Sequence, residues 1–305
     1  MERHLIWIFL TNFVLKTINV IYIYKMYRTI KQQLMDSGMD GGEARAVALL
    51  LMEKICGMDT AAALMAPADW GKDNADEACR LHKALGRILK GEPVQYALGE
   101  ADFCGLTLHV EKGVLIPRAE TEELVRWVAE SGADDVLDIG TGSGCIAVSL
   151  AGMLPQARVE AWDVSDEALA IAEGNAKRVG VNVSFLHVDV LKEGMEKAGE
   201  RKGKYDAIVS NPPYICEDEA VDMEANVLDH EPHLALFVPN DDPLLFYRRI
   251  AMMARTMLRG GGSLFFEINR RFGAATVGML KDMGYHDVQL KQDLYGNDRM
   301  VKAVR

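Results

Sequence analysis

The stretch Val136-Leu-Asp-Ile-Gly-Thr-Gly-Ser-Gly144 decides the fold of this 305-residue chain. The apolar run over 135–140 predicts a short buried strand, and the run CIAVSLAGML over 145–154 predicts a helix directly after the glycines. A strand, a glycine turn and a helix in this order are typical of α/β proteins, which bind ligands outside the carboxyl ends of their strands. The glycines let the backbone approach a ligand closely, and the start of the helix offers free N–H groups.

The same alternation of strands and helices continues from residue 121 to the end of the chain. It predicts a parallel sheet with helices on both faces, and therefore an α/β fold class. The last segment, 287–305, predicts two strands joined through Gly296-Asn297, which adds an antiparallel strand to the sheet. The other predicted elements are helices over 122–130, 167–180, 243–260 and 271–284 and strands over 158–164, 183–190, 205–211 and 263–268.

Changes in the sequence pattern divide the chain into four parts. Residues 1–25 form an apolar extension, and residues 26–91 have the apolar spacing of a small helical bundle. Residues 92–116 predict a linker with a short hairpin that turns at Gly105. Residues 117–305 contain the strands and helices of the α/β domain.

The apolar extension has three possible interpretations. Residues 5–24 are about long enough to span a bilayer, although Lys16 and two asparagines lie within the run. A signal peptide would require small residues at a cleavage site, and the residues that follow the run are large. The interpretation that we favour is that translation starts at Met26 and that residues 1–25 are absent from the mature protein.

Composition excludes several classes of protein and of site. The chain is 49% hydrophobic and 26% charged with a net charge of −11, which is ordinary for a globular protein and unfavourable for binding phosphate backbones. The five cysteines form no C-x-x-C pair, so a reducing compartment such as the cytoplasm is expected and no zinc site is indicated. The pair His230 and His233 is separated by Pro232, which disfavours metal binding on a helix, so we expect no metal.

Three acidic residues at predicted strand ends indicate the ligand. Asp138 would repel a pyrophosphate, but it suits a cationic ligand such as S-adenosylmethionine, whose sulfonium and amino groups are positive. Asp163 lies 23 residues beyond Gly140 and can accept hydrogen bonds from both hydroxyls of a ribose. Asp189 ends the third strand, near the expected position of an adenine ring. The alternative is that the glycines form only a tight turn, and the three acids at strand ends argue against it.

The tetrapeptide Asn211-Pro212-Pro213-Tyr214 follows the fourth strand and therefore faces the same crevice. Prolines fix the backbone and leave carbonyl groups exposed as acceptors. A planar –NH₂ group could donate one hydrogen bond to the Asn211 side-chain oxygen and another to the Pro212 carbonyl, while Tyr214 packs on the group. This arrangement would stabilise the positive charge that grows on the nitrogen as it attacks a methyl group. The alternative interpretation is a simple turn with two prolines.

These motifs together resemble a known family. DIGTGSG and SNPPYI are similar to the class I methyltransferases that modify amide or exocyclic amine nitrogens, which have a Rossmann-like sheet. GEPVQYALGEADFCGL (91–106), VLIPRAETEELV (114–125), EPHLAL (231–236) and DLYGNDRMV (293–301) narrow the resemblance to the peptide chain release factor glutamine methyltransferases. The resemblance covers nearly the whole chain from Met26.

The resemblance implies the substrate and the roles of the site residues. The substrate would be the glutamine of a Gly-Gly-Gln loop in a bacterial-type release factor, which the N-terminal helical domain would help to grip. Two positions depart from the family pattern: Ala119 stands where proline is usual, and Asn269 stands where glycine is common. The implied binding residues for S-adenosylmethionine are Asp138, Gly140, Thr141, Gly142, Ser143, Gly144, Asp163, Asp189, Val190 and Asn211, and those for the substrate amide are Asn211, Pro212, Pro213 and Tyr214, with Asn211, Pro212 and Tyr214 catalytic.

Several alternatives stay open at this point. A sister enzyme that methylates a glutamine of a ribosomal protein would share these motifs. An adenine amino-group methyltransferase of nucleic acid would need a basic footprint, yet residues 26–110 contain nine Lys or Arg and twelve Asp or Glu. A non-catalytic binding protein is disfavoured because Asp138, Asp163 and Asn211 are all present. We expect a monomer that acts on release factors without binding nucleic acid, and without a membrane unless residues 5–24 insert into one.

Overall fold

The computed structural model describes residues 25–66 and 70–305, and the chain divides into two compact units between Leu98 and Gly99. The alternatives for the apolar extension concern residues 1–24, which lie outside the described residues, while Lys25 opens the first helix. The described residues contain no helix that is long and apolar enough to cross a membrane.

The N-terminal unit is helical. Asp40 accepts hydrogen bonds from the Gly42 and Glu43 N–H groups at the start of its longest helix, and Gly57 ends that helix with a φ of 65°. Its core contains Leu34, Leu51 and Met52, which are fully buried. Its helices are α1 (Lys25–Asp36), α2 (Gly41–Cys56), α3 (Thr60–Met65), α4 (Ala75–Ile88) and α5 (Val94–Leu98), with a 3₁₀ turn at Trp70–Lys72.

The C-terminal unit begins with a hairpin and continues as an α/β domain. Cys104 and Gly105 join the two hairpin strands with positive φ angles of 50° and 76°, the geometry of a tight two-residue turn. The strands are β1 (Glu100–Phe103), β2 (Leu106–His109), β3 (Asp135–Ile139), β4 (Arg158–Asp163), β5 (Val183–His187), β6 (Tyr205–Ser210), β7 (Ile215–Cys216), β8 (Phe237–Val238), β9 (Leu258–Glu267), β10 (His286–Gln292) and β11 (Asp298–Val304). The helices are α6 (Ala119–Ala129), α7 (Cys145–Met153), α8 (Asp166–Val179), α9 (Gly194–Glu200), α10 (Ala225–His230), α11 (His233–Leu236), α12 (Leu245–Met257) and α13 (Gly273–Asp282).

Seven strands form the main sheet, in the order β10-β11-β9-β6-β3-β4-β5. The pairs from β9 to β5 are parallel, and β11 runs antiparallel to both β9 and β10. The predicted α/β fold with a mostly parallel sheet and an antiparallel strand near its edge is therefore confirmed. Helices from both faces cover the sheet, with separate apolar clusters on its two sides.

Two predicted elements end three residues earlier than the sequence pattern suggested. The helix predicted to reach residue 260 ends at Met257, because Leu258 already has extended φ and ψ angles of −69° and 147° and opens β9. The strand predicted to reach residue 190 ends at His187, so Asp189 and Val190 lie in the following loop.

The sheet order brings the ligand-binding motifs together. β3 pairs in parallel with both β4 and β6, and Ile139 at the end of β3 is in register with Trp162 and Ser210. The glycine turn, Asp163 and the proline tetrapeptide therefore leave three adjacent strands at one edge of the sheet, as expected for the ligand site of this architecture.

Candidate active site

A cavity of about 330 Å³ opens at the carboxyl ends of these strands. Three of the predicted site residues are buried and do not line this cavity, namely Asp138, Thr141 and Ser143. Tyr214 lines a second cavity beside it. The predicted site residues that line the larger cavity are Gly140, Gly142, Asp163, Asp189, Val190, Asn211, Pro212 and Pro213.

The glycines of the turn serve two different purposes. A Cβ atom on Gly140 or Gly142 would meet no atom within 4 Å, and both residues line the cavity with positive φ angles of 76° and 55°. Their backbones are therefore open to a ligand. A Cβ atom on Gly144 would lie 2.9 Å from the Cβ of Ala172, so this glycine allows close packing of α7 against α8.

Asp138 is a fully buried carboxylate beneath the turn. Its Oδ2 accepts a hydrogen bond of 2.7 Å from the Thr141 hydroxyl, whereas its Oδ1 has no hydrogen-bond partner among the described residues. Burial raises the pKa of this carboxyl to about 7, a net value in which the Thr141 hydroxyl and the Ala147 N–H oppose the rise and the neighbouring Asp163 adds to it. An unpartnered buried oxygen of this kind favours a nearby positive charge.

Asp163 lies at the end of β4 and is half-buried in the cavity wall. Its Oδ2 accepts from the Gly142 N–H at 2.8 Å and its Oδ1 from the Ser165 N–H at 2.9 Å, which fixes the carboxylate in place. Burial raises the pKa of Asp163, and these hydrogen bonds oppose that shift. Each oxygen keeps a further lone pair, so the carboxylate can still accept two hydroxyl groups of a ribose.

Asp189 lines the cavity, but its carboxylate is engaged locally. Its Oδ1 accepts from the N–H groups of Leu191 and Lys192, and the Lys192 Nζ lies 2.9 Å from its Oδ2. Burial alone would raise the pKa of Asp189, yet the contacts with Lys192 outweigh burial and lower it. The carbonyl of the next residue, Val190, accepts from the Arg249 Nε at 2.8 Å, so side chains outside the loop fix this wall.

The proline tetrapeptide continues from β6 into the wall between the two cavities. The Asn211 Nδ2 donates to the Thr121 Oγ1 at 3.4 Å, and among the described residues no hydrogen bond ends on the Asn211 Oδ1 or on the Pro212 carbonyl. The Tyr214 hydroxyl donates to Glu267 at 3.1 Å, and the Tyr214 N–H donates to the Leu236 carbonyl at 3.2 Å. Two acceptors are thus left for a ligand –NH₂ group.

The second cavity, of about 200 Å³, adjoins the first through the tetrapeptide. Its wall is mainly apolar, and Arg118 contributes the positively charged group. Asn211 lines both cavities, as do Leu115 and Ala235. One polar side chain therefore faces two spaces, each large enough for part of a small ligand.

The sequence interpretation gave no role to several residues that hold these walls. Glu231, whose side chain is 1% exposed, accepts from the Ile116 N–H at 3.1 Å and from Arg118 at 2.6 Å. Glu231 thereby joins the loop that follows Gly113 to the segment that follows α10. Both the loop and the segment contribute to the wall of the larger cavity. The signal in the sequence was the EPHLAL motif, which identified Glu231 without its partners.

The two departures from the family pattern have local explanations. Ala119 is the first residue of α6, a position where proline is favoured because its missing N–H needs no partner, and where alanine fits equally well. Asn269 follows β9, and its Nδ2 donates to the Tyr214 carbonyl at 3.1 Å and to the Glu219 carboxylate at 2.9 Å. A glycine could make neither side-chain hydrogen bond.

Comparisons with known proteins show what the chain is similar to. The family model described as the methyltransferase small domain matches residues 119–230, and that described as the PrmC N-terminal domain matches residues 25–99. A release factor glutamine methyltransferase from Bacteroides thetaiotaomicron is 47% identical over 268 residues, which cover 86% of this chain and 93% of that protein. One from Flavobacterium psychrophilum is 40% identical over 288 residues, covering 92% and 99%. Among solved structures, a methyltransferase from Pyrococcus furiosus covers 72% of this chain and 96% of its own at 17% identity, with a TM-score of 0.46.

Proposed function

The chain belongs to the release factor glutamine methyltransferase family, and we propose that it methylates the side-chain amide nitrogen of a glutamine in a bacterial-type release factor. The methyl donor would be S-adenosylmethionine and the target the glutamine of the Gly-Gly-Gln loop. The observation that carries the proposal is that Asn211 lines both cavities, because a residue in that position can touch donor and acceptor at once.

The larger cavity fits S-adenosylmethionine. The open backbones of Gly140 and Gly142 would adjoin its methionine part, and Asp163 would accept the ribose hydroxyls. The unpartnered Oδ1 of Asp138 adds negative potential beneath the turn, which suits a cationic ligand. The loop of Asp189 and Val190 would border the adenine, with the Asp189 side chain held by Lys192. When bound, S-adenosylmethionine supplies an electrophilic methyl group.

Asn211 and Pro212 would hold the substrate amide in the tetrapeptide. The free Oδ1 of Asn211 and the Pro212 carbonyl accept the two N–H groups, which orients the nitrogen lone pair towards the methyl donor. An amide nitrogen is a weak nucleophile, so this orientation supplies most of the rate. The two acceptors also stabilise the charge that develops on nitrogen, and the excess proton leaves to water after transfer.

The aliphatic part of the glutamine would occupy the smaller cavity. Apolar side chains such as Leu115, Ile215 and Val227 line it, and Tyr214 packs at its edge. The N-terminal helical unit would contribute to gripping the release factor. The net charge of −11 favours a protein substrate over a nucleic acid. Action in the cytoplasm, where translation factors work, is part of the same proposal, and the monomeric state stays a prediction.

Mass spectrometry of a purified release factor, incubated with the protein and S-adenosylmethionine, tests this function. We expect one methyl group on the glutamine of the Gly-Gly-Gln loop. A release factor with alanine in place of that glutamine serves as the control and should gain nothing. If the release factor gains no methyl group while the protein binds S-adenosylmethionine, the proposed substrate is wrong. Methylation of a ribosomal protein in a parallel reaction would then favour the sister activity.

A further inference from the structure

We propose that Glu267, acting through Thr121, fixes the orientation of the Asn211 side-chain amide and is therefore a positioning residue for methyl transfer. The inference rests on the proposed function, since it explains how Asn211 keeps its oxygen facing the substrate. Neither Glu267 nor Thr121 lines either cavity, so both act through their neighbours.

Strand register brings Glu267 to the tetrapeptide. β6 and β9 are parallel neighbours in which Ser210 pairs with Phe266. Asn211, the residue that follows β6, therefore lies level with Glu267, the last residue of β9. Thr121 approaches the same point from the first turn of α6.

The Glu267 carboxylate receives two hydroxyl groups in a dry environment. Glu267 is 1% exposed and Thr121 is 2% exposed. The Thr121 Oγ1 donates to the Glu267 Oε2 at 2.6 Å, and the Tyr214 hydroxyl donates to its Oε1 at 3.1 Å. A single carboxylate thus accepts from Thr121, the partner of Asn211, and from Tyr214, the last residue of the tetrapeptide.

The hydrogen positions follow from these contacts. An ionised carboxylate only accepts hydrogen bonds, so the single hydroxyl hydrogen of Thr121 must point to Glu267. The Thr121 Oγ1 can then only accept from Asn211, and the side-chain atom of Asn211 that faces it must be the Nδ2 donor. The Asn211 Oδ1 is consequently turned away from Thr121 and left for a ligand. Without Glu267, either end of the amide could face Thr121.

The groups around Glu267 affect the pKa of its carboxyl. Burial raises the pKa of this carboxyl above its usual value, and the hydrogen bonds from Thr121 and Tyr214 and the positive charge of Arg299 offset that rise only in part. Glu120 acts in the opposite direction from Arg299. The ionised form accepts at both oxygens, so it matches donation by both the Thr121 and the Tyr214 hydroxyl groups.

Thr121→Val is the decisive variant, because it keeps the shape of the side chain and removes both its donor and its acceptor. We expect kcat to fall about tenfold, because one hydrogen bond is lost. The KM for S-adenosylmethionine should stay within about twofold of wild type, a smaller change than the loss of one hydrogen bond would cause. Thr121→Ser retains the hydroxyl, so its kcat should match that of the wild type. Thr107→Val is the matched control, since the exposed Thr107 also donates to a carboxylate, that of Asp102, but lies on the hairpin.

The outcomes separate this inference from the proposed function. If the wild-type protein does not methylate the release factor, the proposed function fails whatever the variants do. If the wild type is active and Thr121→Val matches its kcat, the positioning role is wrong and the function stands. Should Thr121→Val fail to fold, Glu267→Gln decides by the same criterion. The side-chain amide in this variant can donate to Thr121, which leaves the Asn211 amide free to flip. A wild-type kcat in that variant would therefore equally overturn the inference.

Discussion

The glycine turn after β3 and the proline tetrapeptide after β6 leave neighbouring strands, yet different forces hold them. The turn takes its shape mainly from its own motif, because Gly140 and Gly142 have positive φ angles and Asp138 accepts from Thr141 within it. The adjacent strand β4 contributes as well, since Asp163 accepts from the Gly142 N–H. The tetrapeptide has a stiff backbone, but α6 and β9 orient its two polar side chains. The glycine turn on the donor side is therefore shaped mainly by its own motif and the adjacent strand β4, whereas the tetrapeptide on the acceptor side depends on distant parts of the chain.

The largest effect is expected at the acceptor side. Asn211→Ala removes the side-chain oxygen that would hold the substrate amide, and kcat should fall by about a hundredfold or more, the loss of one well-placed transition-state contact. Affinity for S-adenosylmethionine, measured by isothermal titration, should change little. Asn182→Ala, at an exposed residue before β5, is the control. Near wild-type turnover in Asn211→Ala would rule out the clamp.

Asp163→Ala should affect the donor side instead. Loss of hydrogen bonds to a charged group weakens binding of S-adenosylmethionine by roughly ten- to a hundredfold. At a saturating concentration of the donor, kcat should largely recover. Asp166→Ala removes an exposed carboxylate three residues away and should bind the donor normally. An unchanged dissociation constant for Asp163→Ala would refute its role at the ribose.

A pair of glycine variants distinguishes backbone strain from ligand contact. Gly142 and Gly203 have similar φ angles of 55° and 60°, and a Cβ on either would meet nothing within 4 Å. Alanine at each position should cost roughly 1–2 kcal/mol of unfolding free energy. Gly142→Ala alone should weaken donor binding, by about tenfold, because only its methyl group enters the cavity. Equal donor affinities in the two variants would mean that the turn does not contact the donor.

The smallest effect concerns the pH dependence of stability. The pKa of Asp138 is raised to about 7 by burial, so its protonated form favours the folded state. This stabilisation is complete below the unfolded pKa and is lost as the pH rises towards about 7. The melting temperature of Asp138→Asn, relative to that of the wild type, should therefore rise with increasing pH. The rise should be roughly 2–4 °C for each kcal/mol of stability that ionisation of Asp138 costs.

Thermal melts at about pH 5 and about pH 8, on either side of the pKa of about 7, test this expectation. Asp166→Asn is the control because Asp166 is exposed at the start of α8, and its melting temperature should follow the wild type. Parallel curves for Asp138→Asn and wild type would show that Asp138 is ionised at no cost.

The same contrast explains what could be predicted from the sequence. The turn, Asp163 and the tetrapeptide are recognisable because each is a short motif next to an apolar strand. Thr121 and Glu267 are separated by 146 positions, and Thr121 lies directly before the predicted helix over 122–130, with no role indicated by the pattern. Their contact depends on how β9 and α6 pack, and neighbouring residues in the sequence carry no trace of it.

Element boundaries illustrate a similar limit. The alternation of strands and helices predicted the sheet and its antiparallel strand, because it reflects burial on both faces. The paired segments β7 and β8 contain two residues each and have too little periodicity to predict. The role of Asp189 was also hidden, since its contact with Lys192 depends on a loop conformation rather than on a strand end.

The hydrogen bonds of Asn269 make two positions of the chain interdependent. Its amide contacts both the Tyr214 carbonyl and the Glu219 carboxylate, so Asn269→Gly alone would leave Glu219 without this donor. An exchange of Glu219 together with Asn269 would avoid that loss. The effect of a glycine at position 269 therefore depends on which residue occupies position 219. A single substitution copied from a relative does not measure that effect.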